Sequence, residues 1–146
     1  MALEKINNFS RQLFRTDLVD KRLDISLLAF RIFLSLSLIY VHGLPKIADF
    51  EAEVANIPDP FGFGAYPSAI LAVVANIICP IFIIFGFLTR PAILPILAIT
   101  LTGFFIVHGA DPAKVRDVPY MYSLAFLLLF ILGPGKYSID HRIWNK

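Results

Sequence analysis

The sequence predicts an all-α integral membrane protein: a four-helix transmembrane bundle preceded by an N-terminal amphipathic helix lying in the interface. Composition is the first observation. Hydrophobic residues make up 58% of the 146-residue chain and charged residues 16%, whereas soluble domains stand nearer ~45–50% apolar and ~25% charged. A soluble core of this length could not hide so much apolar surface, because small domains leave a large share of their surface wet. The second observation is a hairpin. Between Ser68 and His108 two apolar segments, each about the ~20 residues that a hydrocarbon core requires, are joined only by Gly86-Phe87-Leu88-Thr89-Arg90-Pro91. So short a joint makes the segments antiparallel.

Residues 1–23 carry Lys5, Arg11, Arg15, Lys21 and Arg22, which leaves no clean apolar stretch for a secretory signal. Leu3, Ile6, Phe9, Leu13 and Phe14 recur at helical spacing and predict the amphipathic interfacial helix. The first span is expected over residues 24–42, with Asp24 or Ser26 capping its start. A loop rich in proline, glycine and aromatic residues follows, acidic in its first half. The second span is expected over 67–88, with Pro80 predicting a kink. The third is expected over 91–108, opening on Pro91. The fourth is expected over 118–133, opening on Pro119 and stopped by Gly133-Pro134-Gly135; at about 15 residues it reaches only ~22 Å, short of the ~30 Å core. Residues 134–146 form a polar tail.

Four spans place both termini and the Arg90 turn on one side. Lys and Arg outside the spans then divide nine against three, which predicts both termini in the cytoplasm of an inner-membrane protein. The net charge of +2 is small and carries no nucleic-acid footprint. The single cysteine, Cys79, excludes an intrachain disulfide or dithiol chemistry.

Polar groups at membrane depth cost about 2.5–3.5 kcal/mol for a central Arg and each demands a reason. Arg31, roughly two turns inside the first span, either snorkels to headgroups or pairs inside the bundle with a group such as Asn76. Asn76, about 12 Å from the outer end of its helix, is either helix glue or a ligand-facing amide. Cys79 lies one turn from Asn76 on the same face, as a small hydrophobe or a reactive thiol.

His42 and His108 end the first and third spans and so share the outer leaflet. Both occur in a Val-His-Gly triplet, with Lys46 or Lys114 beyond. They either touch interfacial water or converge, with Lys46 and Tyr120 or Tyr122, as hydrogen-bonding groups for a quinone or, less readily, as ligands of a haem. No metal-site spacing, phosphate loop or nucleophilic triad is legible.

From Arg31 to Asp140 the chain resembles the DoxX family of small four-span membrane proteins. The resemblance rests on Arg31, on His42-Gly43-Leu44 with Lys46, on Gly86-x-x-Thr89-Arg90, on His108, and on Gly133-Pro134-Gly135-Lys136-Tyr137-Ser138-Ile139-Asp140. Many members of that family carry a glutamate where this chain has Asn76, and an amide does not titrate. The resemblance implies a small membrane subunit of a quinone-linked oxidoreductase system, with other subunits as partners besides the lipid bilayer. Two rival readings stand beside it: a scaffold or chaperone for partner transmembrane helices, and a small lipid or solute carrier. Homo-oligomers are compatible with each.

Overall fold

The structure, a computed structural model, describes residues 21–144. The expected amphipathic helix lies, up to residue 20, outside the described residues. Four helices are long and apolar enough to cross a membrane: α1 (Lys21–Ala48), α3 (Ala65–Phe85), α4 (Thr89–Val107) and α5 (Ala113–Leu132). Two short helices join them, α2 (Phe50–Asn56) in the first loop and α6 (Ile139–Trp144) after the last span. The described residues contain no strand. One end of the bundle, called here the terminal end, carries the start of α1, the α3–α4 turn and residues 133–144. The other, the loop end, carries the two longer connections.

Helix α1 packs on α3, α3 on α4 and α4 on α5, while α1 and α5 meet at few positions. Ala69, Ala72 and Ala75 are buried on one face of α3, small side chains that let neighbouring backbones approach closely. Below them Leu38, Cys79, Ile83, Ile93, Ile96, Phe126 and Leu129 form the core. The outward surface is apolar too, with Phe33, Phe85, Leu94, Leu128 and Ile131 exposed, as lipid contact requires.

Three of the spans contain a π-helical turn: Ile39–Gly43 in α1, Val74–Ile78 in α3 and Gly103–Val107 in α4. Each inserts one extra residue into the helix and re-aims the side chains around it. The turn in α3 sits just before Pro80, where the missing N–H predicts a kink, so the irregularity forced by proline takes the form of a π turn. At this level the first two spans touch backbone to backbone: a Cβ on Gly43 would lie 2.7 Å from the main-chain oxygen of Asn76.

The fourth span departs from expectation. It begins at Ala113, not at Pro119, and its 20 residues span about 30 Å, enough for the whole hydrocarbon core. Pro119 sits inside it; four residues on, Ser123 Oγ lies 2.7 Å from the Pro119 carbonyl and 2.9 Å from Thr100 Oγ1, which ties this part of α5 to α4. Helix α1 is likewise already formed at Lys21. Asp24 is therefore no cap: its carboxylate accepts from the Lys136 N–H at 3.2 Å and lies 3.5 Å from Lys136 Nζ.

The terminal end is closed by a clasp made from residues far apart in sequence. Arg31 is 2% exposed and neither snorkels to headgroups nor pairs with Asn76. Its Nη1 donates to the Pro134 carbonyl at 2.7 Å and its Nη2 to the Tyr137 carbonyl. Gly86, at φ +64°, closes α3 in a left-handed conformation with Phe87 N–H bonded back to the Phe82 carbonyl. Arg31 packs directly over it, since a Cβ at Gly86 would lie 2.5 Å from Nη1. Asp140 reaches back to the same turn, its Oδ1 accepting from Leu88 N–H at 2.7 Å and its Oδ2 from Thr89 N–H at 2.9 Å. A carboxylate from the chain's end thus satisfies donors that the start of α4 would otherwise leave unpaired. Arg90 answers at the end of α5, donating through Nε to the Phe130 carbonyl at 3.0 Å.

Candidate functional site

At the loop end a cavity of about 610 Å³ opens between all four spans and the loop that follows α2. Each π turn contributes to its wall: His42 from α1, Asn76 from α3, Gly103 and Val107 from α4. π turns collect at functional sites because they displace side chains from regular helical register. Leu38, Ala72, Ile99 and Val118 make the wall largely apolar, and the volume falls in the ~300–1,000 Å³ range of small-molecule pockets.

The polar groups are few and each is held by a second residue. The His42 ring meets Tyr122 edge to face, with centroids 5.3 Å apart and planes at 86°. The Tyr122 hydroxyl is 2.8 Å from Ser37 Oγ, which bridges α5 to α1. Lys46 forms an ion pair with Glu53 and so ties the end of α1 to α2. His108 ends α4, and its Nδ1 lies 2.8 Å from Asp111 Oδ2. A carboxylate on one ring nitrogen fixes the orientation of the imidazole and leaves Nε2 for a ligand or a proton.

Asn76 is 6% exposed, and its Nδ2 donates to the Ala72 carbonyl at 2.8 Å. Only the nitrogen end of the amide can face that carbonyl, so one N–H and the Oδ1 acceptor remain for other partners. Thr100 lines the same region, donating to the Ile96 carbonyl at 3.0 Å with Ser123 Oγ 2.9 Å away.

Residues 57–61 and Phe63 roof the cavity. Asp59 organises this loop: its Oδ2 accepts from Gly64 N–H at 2.8 Å and its Oδ1 from Phe63 N–H and Ser68 Oγ, each at 3.0 Å. These bonds favour the ionised carboxylate, and the Gly64 amide foremost among them holds Asp59 below its ordinary titration range.

Of the residues singled out in the sequence, His42, Lys46, Asn76, His108 and Tyr122 line this cavity and Tyr120 does not. Tyr120 turns to the other side of α5, where its ring lies 5.2 Å from that of Phe104. Cys79 is buried in the core, and Arg31 belongs to the clasp at the opposite end. Among the described residues no three His, Cys, Asp or Glu side chains gather into a metal-binding group. Sequence reasoning missed Ser37, Glu53, Asp59, Thr100 and Asp111. Two of these had a local signal: Asp111 stands three residues after His108, and Asp59 precedes two glycines and Ser68 in turn-forming sequence.

A sequence model of the DoxX family matches residues 26–109. Inner membrane protein YqjF of Escherichia coli (strain K12) is 44% identical over 68 residues, 44% of this chain; the chain thus spans about half of YqjF, 52% of its length. Inner membrane protein YphA of the same organism is 33% identical over 114 residues, covering 70% of this chain and 79% of YphA. An uncharacterized protein of Haemophilus influenzae (strain ATCC 51907 / DSM 11121 / KW20 / Rd) is 31% identical over 128 residues, 82% of this chain and 83% of that protein. No solved structure matches the chain. With more than half its length matched by the family and two relatives aligned along most of theirs, the chain belongs to the DoxX family.

Proposed function

We propose that this chain is an inner-membrane protein with both termini in the cytoplasm, serving as a small integral subunit of a redox system and binding a quinone headgroup in the loop-end cavity. The observation that carries the reading is the gathering of His42, Lys46, Asn76, His108 and Tyr122 in one largely apolar space of about 610 Å³. A quinone ring needs apolar walls and hydrogen-bond donors aimed at its carbonyls. Tyr122, Lys46 and the Asn76 amide are such donors, while the Asn76 side-chain oxygen and His108 Nε2 can accept from a hydroquinone hydroxyl. The His108–Asp111 pair is the natural proton acceptor, because Asn76 replaces with an amide the acid that many family members carry. The names of the two Escherichia coli relatives and the nine-to-three division of basic residues support the membrane and the orientation.

The test is binding to the purified protein. Quinone should copurify, a short-chain quinone should raise the melting temperature in detergent, and His42→Ala with His108→Ala should abolish that rise. Absence of both copurified quinone and any thermal shift in the wild-type protein would overturn the reading. The apolar wall also favours a second reading, a carrier of a small lipid or apolar solute. Organic extraction separates the two by what it yields: a quinone, or another small lipid with no quinone.

A further inference from the structure

Arg116 and Tyr120 stand one turn apart on α5, on a face that lines no part of the cavity. The guanidinium carbon of Arg116 lies 4.5 Å from the centre of the Phe104 ring. Tyr120 lies along the same ring, with centroids 5.2 Å apart and planes at 34°, and Phe105 meets it edge on at 4.8 Å. An arginine over an aromatic face is held there by the quadrupole of the ring, so this guanidinium is positioned before any ligand arrives.

Among the described residues Arg116 forms no ion pair, and its Nε is buried with no acceptor. Asp111 is engaged with His108, and Asp117, the next residue on the helix, faces elsewhere. A guanidinium carries five N–H donors and binds phosphate oxygens two at a time. Its position in the first turn of a membrane-spanning helix places it at headgroup depth, where phosphate is the abundant anion. Deeper along the same two helices, Leu101, Met121 and Leu124 are exposed and apolar, a surface suited to an acyl chain.

We propose that Arg116, seated on Phe104 and flanked by Tyr120, is a binding site for the phosphate of a phospholipid in the loop-end leaflet. The site is separate from the cavity and independent of what the cavity holds.

The test is native mass spectrometry of the delipidated full-length protein titrated with phosphatidylglycerol. The first lipid bound should be weakened about tenfold in Arg116→Gln and be close to wild type in Lys114→Gln, which removes a neighbouring exposed cation. Phe104→Leu keeps the charge but removes its platform and should also weaken the first lipid, so it decides the matter if Arg116→Gln does not fold. Equal binding by wild type and by the folded Arg116 or Phe104 variant overturns the proposal, as does an equal loss in Lys114→Gln, which would mark diffuse charge attraction. Displacement of the lipid by 10 mM inorganic phosphate would also overturn it, by showing that the site takes the free ion.

Discussion

The guanidinium of Arg31 and the main-chain carbonyl of Pro134, 103 residues apart, are hydrogen-bonded at 2.7 Å. This bond, with its companion to Tyr137, fastens the first span to the segment that follows the last. Two pieces of sequence that carry the family resemblance, the Gly86–Arg90 turn and the 133–140 segment, thereby form one clasp. Arg31→Leu should orphan two acceptors at about 1–3 kcal/mol each and lower the melting temperature in detergent. Arg31→Lys should restore little, because an ammonium cannot reproduce the planar fork. An unchanged melting curve for Arg31→Leu would contradict this account of the clasp.

Asp140 caps α4 from outside its own helix. Asp140→Ala leaves the Leu88 and Thr89 amides without their acceptors and should cost about 1–2 kcal/mol, as the loss of a strong N-cap does. Amide hydrogen exchange locates the effect: Leu88 and Thr89 should lose protection while the loop end of α4 keeps it.

Gly43 and Asn76 meet where two π turns cross. Gly43→Ala would put a methyl group 2.7 Å from both the Asn76 main-chain oxygen and the Ile77 side chain, and overpacking of that kind costs about 1–3 kcal/mol. The change also pushes apart two walls of the cavity. Ligand binding should therefore weaken by more than the melting temperature alone would suggest, which paired thermal and binding measurements can resolve.

Asp59 makes the roof of the cavity sensitive to acid. Its folded-state titration is depressed, chiefly by the Gly64 amide, so its contribution is present above the unfolded value and is lost as pH falls through the folded one. The Phe63 and Gly64 amides should stay protected from exchange at pH 5 and lose protection below the ordinary aspartate value of about 3.9. Asp59→Asn should expose them at both pH values. Protection in the variant equal to wild type at pH 5 would show that the carboxylate does not hold the loop.

Ser37 is the support of Tyr122. Ser37→Ala removes the bridge from α1 to α5 at Tyr122 and should cost about 0.5–1.5 kcal/mol. If Tyr122 serves a quinone carbonyl, Ser37→Ala should weaken quinone binding severalfold, with Tyr122→Phe weakening it further.

The sequence by itself determined the membrane class, the count of spans and the antiparallel hairpin at Gly86. These follow from hydropathy, length and a short turn, which are local quantities that add along the chain. It also named five of the cavity-lining side chains, His42, Lys46, Asn76, His108 and Tyr122, because polar groups near span ends or at membrane depth are few. Only the tertiary structure decided the partner of Arg31, the cap supplied by Asp140, the early start of α5, and the facing of Tyr120 toward Phe104 instead of the cavity. A side chain's partner depends on which helices touch and at what rotation. The π turns at Gly43, Asn76 and Gly103 shift that rotation by one residue in midspan, so a regular helical period cannot carry a face assignment from one end of a span to the other.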